Sequence, residues 1–491
     1  MTHSFIKTAT GLWEVVIGLE VHAQVKSLSK LFSGAATSFA ADPNTKVSLV
    51  DAALPGMLPV VNKFCIEQAV KTGLALRGDI ALHSVFDRKN YFYADLPQGY
   101  QISQFYHPIV RNGFLEIDLE NGETKTIHIE RIHLEQDAGK SIHDLHPDKS
   151  FIDLNRSGTA LMEIVTKPDM RSAHEAMDFI KKLRLILRYL GSCDANMDEG
   201  SLRVDVNISV HRPGTPFGTR AEIKNVNSIR FIGQAIDHEI NRQIALLESD
   251  QSVDQETRLF DASSGTTRSM RSKEDAQDYR YFPDPDLRPI VLTEDYIQKV
   301  QESLPELPNE KRTRFMEDYG LSRYDATVLV SDLETPLYYE KVLKNLKGWK
   351  DQIEAAKLAS NWISGELFAA LNEKNLSIDK SPIAPEKLAQ LLNLIGEGKL
   401  SGRLAKDVFE IMIETGQEPE KIVDEKGLVQ ISDTGALEAI VDQVIKDNPK
   451  MVEEYKSGKD KLFGFFVGQT MKLSGGKANP QMINEILKRK L

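Results

Sequence analysis

Glutamate and histidine alternate at two places in this chain: Glu20 and His22 in "VVIGLEVHAQV", and His133 and Glu135 in "RIHLEQDAGK". Residues two apart on an extended strand share a face, so each pair sets a carboxylate beside an imidazole. That combination suits a divalent metal ion. For one pair alone, a wetted sheet face is the simpler reading. The second pair shifts the balance, because Arg131 and Asp137 flank it in the same parity. A further stretch, "SLRVDVNISV", places Arg203, Asp205 and Asn207 on one face, and "TRAEIKN" adds Arg220, Glu222 and Lys224. Acid, amide and base gathered on one sheet could clamp a magnesium ion and a phosphate, the parts that phosphoryl transfer needs.

The elements that carry these residues are legible. Opposite Glu20 and His22, the strand shows only Val15, Ile17, Leu19, Val21, Ala23 and Val25, a face that belongs on a core. One helix is sharply bounded: Ser172 and Glu175 form a capping box, an apolar stripe runs from Ala176 through Phe179, Ile180, Leu183, Ile186 and Leu187 to Leu190, and Gly191 ends it. After "YFPDPDLRPI" helical periodicity takes over. Pro385 opens a helix that stops at Gly396, and Asn479 followed by Pro480 announces the last one. The fold class expected is α+β, a domain of largely antiparallel sheet followed by an all-helical C-terminal part.

Composition narrows the function classes. At 491 residues the chain exceeds one ordinary core, and its 41% hydrophobic and 27% charged residues are ordinary globular values. The net charge of -11 argues against coating a membrane or nucleic acid nonspecifically. The C-terminal end departs from that average: from Lys456 to Leu491, cations at Lys456, Lys459, Lys461, Lys472, Lys477, Lys488, Arg489 and Lys490 face only Asp460 and Glu485. Two cysteines, Cys65 and Cys193, cannot build a disulfide framework or a four-cysteine zinc site. No run approaches the roughly 18 apolar residues of a membrane span, and the N-terminus has neither a signal core nor a transit pattern, so a cytoplasmic protein is expected.

Several short motifs dissolve on inspection. "AGKS" at Ala138–Ser141 ends like a phosphate-binding loop, but Leu134 stands where the first glycine is needed. "SSG" at Ser263–Gly265 lacks the flanking glycines of an amidase signature and reads as a turn. "SGGK" at Ser474–Lys477 reads as a connection, and Cys65 as a small buried thiol. Phe86–Gln104 is denser: Arg88 and Lys89 could meet phosphate, while Tyr91, Phe92 and Tyr93 could stack on a base or build a core. Arg271, Lys273, Arg280 and Arg288 could be a charged surface loop.

Taken together, "VIGLEVHAQV", "LPGMLPVVN", "DRKNYFYADLPQGYQISQ", "HLEQDAGKS", "DLNRSGTALMEIVTKPDMRS", "DANMDEGSLRVDVNIS", "IKNVNS", "MRSKEDAQDYRYFPDPDL" and "GFFVGQTMKLSGGKANPQMINEIL" resemble the GatB/GatE family, in its order and over nearly the whole chain. The lack of room for a large synthetase-like insertion points to the B branch. The resemblance implies a cradle-like kinase domain over 1–303, a helical domain over 304–420 and a YqeY-like tRNA-binding tail over 421–491. It implies ATP-dependent phosphorylation of the side-chain carboxylate of Glu on tRNA(Gln) or Asp on tRNA(Asn), then displacement of phosphate by ammonia. The partners implied are a glutaminase of the amidase-signature type as the A subunit, a small C subunit, and misacylated tRNA. The cofactors implied are ATP and Mg²⁺. By carry-over Glu20, His22 and Glu135 form the metal shell; Asp205 and Lys224 join them as catalytic candidates; Arg88, Lys89, Arg203 and Asn207 are candidates for nucleotide or aminoacyl-end contacts, and Glu163 is a further acid. Relatives usually show an acid at position 136, a proline at 94 and a lysine at 98, where this chain has Gln136, Ala94 and Gln98. A noncatalytic tRNA-binding scaffold stays open as the alternative function.

Overall fold

The computed structural model describes residues 5–272, 278–428, 434–475 and 477–491. The chain divides into two compact units, Met1–Leu307 and Pro308–Leu491. The strands that matter in the first unit are β1 (Gly11–Gln24), β2 (Asp87–Asn90), β3 (Tyr100–Ser103), β4 (Val110–Asp118), β5 (Thr124–Gln136), β6 (Ala160–Thr166), β7 (Leu202–His211), β8 (Ala221–Val226), β9 (Glu256–Asp261), β10 (Thr266–Ser272) and β11 (Phe282–Pro283). A ten-stranded sheet runs in the order β10–β9–β8–β7–β1–β6–β5–β4, with the short strand Asp79–Ile80 beyond β4 and Ile6–Thr8 paired to the start of β1. The β8–β9 pair is parallel, and the other named neighbours in this sheet are antiparallel. A second, three-stranded sheet has the order β11–β2–β3.

Alternation explains β1. Val15, Ile17, Leu19, Val21 and Ala23 are buried, while Glu20, His22 and Gln24 on the other face are half-buried. The apolar face joins a core shared with helices α1 (Lys63–Ala75), α2 (Ala173–Leu190) and α3 (Ile229–Glu248). The expected stripe of α2 is buried throughout, from Ala176 to Leu190. Each large side chain in it contributes about 1.5–3 kcal/mol by leaving water. Gly191 ends the helix at φ 68, a left-handed position that glycine takes without a Cβ clash. The start of α2 differs in one respect from the expected capping box. Ser172 Oγ does accept from Glu175 N at 3.2 Å, but the Glu175 carboxylate accepts from Arg171 N and Lys125 Nζ, both at 2.8 Å. The carboxylate reaches back one residue beyond the Ser172 amide of a capping box and shares its Oε2 with a long-range ammonium.

The second unit is helical among the described residues, with one apolar cluster between Phe315 and Val423 and another between Leu437 and Leu487. The helix Pro385–Gly396 begins with its proline. In the last helix, Asn479 Oδ1 accepts from Gln481 N and Met482 N at 2.9 and 3.2 Å. Three cations of the basic end are paired within the unit: Lys459 with Glu454, Arg489 with Glu438 and Lys490 with Asp442. No helix of the described residues is long and apolar enough to cross a membrane.

Both cysteines are buried, and burial pushes the Cys65 thiol up to about 11 and the Cys193 thiol up to about 12. A thiol that stays protonated is a poor nucleophile. The folded chain is therefore expected to resist maleimide near neutral pH and to take up two equivalents after denaturation. Rapid labelling of the native chain would contradict this packing.

Candidate functional site

The register of the central strands gathers residues far apart in the chain. On β6, Glu163 lies opposite His22 of β1 on one side and His133 of β5 on the other. Arg203 of β7 lies across from His22 on its remaining side, which completes one row. The adjacent row runs Asp205, Glu20, Val165 and Arg131. Directly opposed residues in an antiparallel sheet share a face, so all of these point to one side, away from the helical core.

At the centre, Glu163 Oε2 lies 3.3 Å from His133 Nε2 and 3.5 Å from His22 Nε2. Glu135 spans the same two rings, with Oε1 at 3.8 Å from His22 and Oε2 at 3.7 Å from His133, and it accepts from Ser103 Oγ at 3.3 Å. One donor atom from each of His22, Glu135 and Glu163 lies within 4.8 Å of the others. Two ligands at roughly 2.0–2.4 Å from one ion stand at most about 4.8 Å apart, so this set fits a divalent cation. The electrostatics agree. Burial opposes ionisation of Glu163 and Glu135, yet the adjoining imidazoles hold Glu163 well below the usual carboxylate range and lower Glu135 as well. Burial likewise disfavours the charged imidazoles, but Glu163 and Glu135 outweigh it, raising His22 and lifting His133 to about 9. Two buried carboxylates thus demand positive charge, which protons or a metal ion can supply.

Around this centre lies a cavity of about 280 Å³. Along one flank Asn207 Nδ2 donates to Glu20 Oε1 at 2.9 Å, and Lys224 Nζ bridges Asp205 at 2.6 Å and Glu222 at 2.9 Å. Burial and the charges of Glu163 and Glu222 raise the Glu20 carboxyl above its usual range, against the hydrogen bond from Asn207. Burial opposes the Lys224 charge, but Asp205 and Glu222 prevail and raise its pKa. Lys89 reaches the cavity from β2, its Nζ 5.1 Å from the Tyr279 ring centroid. Its burial is likewise outweighed by the nearby Glu135 and Glu163, so it holds its proton.

The residues named from sequence separate into three groups. Glu20, His22, Glu135, Asp205, Lys224 and Lys89 line one cavity. Arg203 and Asn207 are engaged beside it: Arg203 Nη2 donates to Asp137 at 2.8 Å, a carboxylate also gripped by Arg156, and Asn207 orders Glu20. Arg88 instead turns to Asp284 and Asp286. Within the convergent trio, Glu163 takes the place that the sequence reading gives to Glu20. Its signal was available, since Glu163 is a lone acid within "ALMEIVT", a strand buried from end to end, where an unpaired charge is costly.

The decoys resolve into ordinary structure. "SSG" forms the turn between β9 and β10, with Asp261 Oδ1 accepting from Ser263 N and Oγ. Lys140–Ile142, within and after "AGKS", is a strand paired with Phe151–Asp153, so no helix follows to receive phosphate. Two departures from the family pattern meet: Gln136 Nε2 donates to Gln98 Oε1 at 2.7 Å, and Gln98 Nε2 donates to Val50 O at 3.2 Å. An amide pair stands where the pattern calls for a lysine and an acid. Lys273 lies outside the described residues.

This sheet face, with Lys89 added from β2, brings two imidazoles, five carboxyl groups and two lysines to one small cavity, an arrangement with the groups to hold a cation beside an anion. Residues 15–298 match the family model described as the GatB/GatE catalytic domain, and residues 338–491 match the one described as the GatB domain. The chain belongs to the GatB/GatE family. It is 61% identical over 487 residues to the B subunit of the aspartyl/glutamyl-tRNA(Asn/Gln) amidotransferase of Pelagibacter ubique, covering 99% of this chain and 98% of that protein. Proteins of the same name from Granulibacter bethesdensis and Zymomonas mobilis are 62% and 60% identical, over 99% and 100% of both chains.

Proposed function

We propose that this chain is the ATP-using subunit of a tRNA-dependent amidotransferase, acting on Glu-tRNA(Gln), Asp-tRNA(Asn) or both. Family membership and the names of its relatives support transamidation. The phosphorylation step is carried by one observation: His22, Glu135 and Glu163 converge in the cavity that Lys89 also enters. In the first step a side-chain carboxylate oxygen attacks the γ-phosphorus of ATP and ADP leaves. Then ammonia nitrogen attacks the acyl carbon, phosphate leaves, and the nitrogen gives up a proton.

The first step brings anions together, so positive groups must offset their repulsion. Lys89 does this from the aromatic side, and Lys224 from the far flank, where Asp205 and Glu222 orient it. Glu20, held by Asn207, supports the metal site from outside it. Arg203, at the end of the row that holds His22 and Glu163, braces Asp137. His22, Glu135 and Glu163 would hold a magnesium ion, with water completing its shell, and a bound ion there supplies charge that offsets the phosphate oxygens.

Ammonia is proposed to come from a glutaminase partner, with a small third protein completing a heterotrimer in the cytoplasm. The division into 1–303, 304–420 and 421–491 is proposed on the same basis, with the basic end of the last part contacting tRNA. The test assembles the chain with its two partners, γ-labelled ATP, ammonium and each misacylated tRNA in turn. Label release that requires tRNA, together with amide formation, is expected. Untouched ATP and no amide with either tRNA would leave the chain a scaffold.

A further inference from the structure

Arg88 and Lys89 are neighbours on β2, so their side chains leave opposite faces of the strand. Lys89 enters the cavity, and Arg88 turns to the segment Asp278–Leu287 that follows β10 in the chain. Arg88 Nε donates to Asp284 Oδ2 at 2.9 Å and Nη2 donates to Asp286 Oδ2 at 2.8 Å. The guanidinium also lies over the Tyr100 ring, 4.1 Å from its centroid. Asp284 is buried, and its own N donates to Phe86 O at 2.8 Å. The other end of the segment is tied as firmly. Asn90 donates to Tyr279 O from both its backbone N and its Nδ2, each at 3.0 Å, and to Arg280 O at 2.9 Å. Between these ties β11 pairs with β2, Phe282 opposite Arg88 and Pro283 opposite Asp87.

What the two anchors hold is an aromatic layer. Tyr281 stacks on Phe105 with centroids 4.1 Å apart and planes 12° from parallel. Tyr279 meets Tyr91 edge-on at 5.9 Å. Phe105 is itself fixed, because Asp87 Oδ2 accepts from Phe105 N at 3.0 Å and from Tyr106 N at 3.1 Å. Tyr279, Tyr281 and Phe105 line the same cavity as Glu135 and Glu163. Neither cation binding nor phosphate binding calls for three aromatic rings there. Keeping water out does.

We infer that the strap Asp278–Leu287 is a water-excluding roof over the site, and that Arg88 is the positioning residue that holds it down. The inference rests on the function proposed above. An acyl phosphate has two fates. Ammonia attacks its carbonyl carbon to give the amide, and the phosphate leaves as hydrogen phosphate carrying the nitrogen's proton. Water attacks to regenerate the carboxylate and hydrogen phosphate, with one proton released near neutral pH. Each route consumes one ATP, so only the partition between them reports the roof. A closed roof admits the delivered ammonia and leaves water little access, so ADP and amide form nearly one for one. A loosened roof leaves phosphorylation possible and lets water compete.

The test uses the complete complex with misacylated tRNA and limiting ammonium, and measures ADP formed per amide formed. Arg88→Gln is expected to raise that ratio several-fold. Raising the ammonium concentration should bring it back toward one, and Arg88→Lys should restore it in part by keeping a cation near Asp284. Tyr281→Leu, which leaves the clamp intact, should raise the ratio as well, and Asp286→Asn, which spares buried Asp284, serves if Arg88→Gln fails to fold. A ratio that stays at the wild-type value while ADP and amide fall together would make Arg88 merely structural and overturn the inference. A wild-type complex that forms no tRNA-dependent ADP would instead overturn the functional reading beneath it.

Discussion

Exchanging Glu163 for glutamine is expected to lower tRNA-dependent ATP consumption and amide formation together, by on the order of 10³-fold. The substitution keeps size and a hydrogen-bonding oxygen but removes one of the two charges that demand a cation between His22 and His133. With that charge gone both imidazoles lose the carboxylate that chiefly raises them. Binding of magnesium or manganese, followed by calorimetry, should weaken in parallel, while glutamine hydrolysis by the glutaminase partner persists. Glu20→Gln is the informative comparison. Glu20 touches Asn207 rather than the convergent trio, so its loss should cost only about 10–100-fold, as expected of a group that supports a metal site from outside. If Glu20→Gln abolished metal binding and Glu163→Gln left it intact, the trio Glu20, His22 and Glu135 would be restored.

That contrast shows which part of the site a sequence can carry. Glu20 with His22, and His133 with Glu135, are legible because the two-residue repeat of a strand is local, and both pairs do face the cavity. Which strand lies between them is not local. β6 is inserted between β1, more than a hundred residues earlier in the chain, and the much nearer β5, and only that register lifts Glu163 from one acid among many to the hub. The same limit explains Arg88. It sits beside Lys89 in the sequence and shares its charge, yet a one-residue step on a strand reverses the face, and its acidic partners lie almost two hundred residues on. Helix α2 was legible to its ends, except that Glu175 accepts from Arg171 N rather than Ser172 N and is shared with the distant Lys125. Gln98 and Gln136, apparently separate departures from a family pattern, become one contact in three dimensions. Local periodicity, then, yields faces and ends; partners across the sheet come from register.

Removing Asp51 is expected to destabilise the first unit by about 3–5 kcal/mol, the largest single effect on stability. Its partner Lys30 has no exposed side-chain surface, an unusual place for a lysine, and their 2.9 Å ion pair is buried throughout. The pair matters because Lys26 to Asn62 contains no helix or strand, only an isolated bridge between Ser29 and Ala36. A segment of that length needs internal anchors. Asp51 accepts from Lys30 Nζ, from Ser33 Oγ and from Ser48 N, and it packs so close to Gly158 that a Cβ there would meet its Oδ1 at 2.5 Å. Asp51→Ala leaves the Lys30 ammonium with only Leu154 O, whereas Lys30→Met leaves Asp51 with two donors, so the aspartate should be the costlier loss. Deprotonation caps the penalty, because burial already lowers the Lys30 pKa against the pull of Asp51. Urea unfolding followed through Trp13, with Trp349 and Trp362 replaced by phenylalanine, isolates this unit. The double variant Lys30→Met with Asp51→Leu should recover part of the loss, since an apolar pair strands no charge. Equal midpoints for wild type and Asp51→Ala would mean that the segment is anchored elsewhere. The consequence reaches the site, because Val50 O holds Gln98, Gln98 holds Gln136, and Gln136 is the chain neighbour of Glu135. Asp51→Ala should therefore also weaken metal binding in the fraction that remains folded.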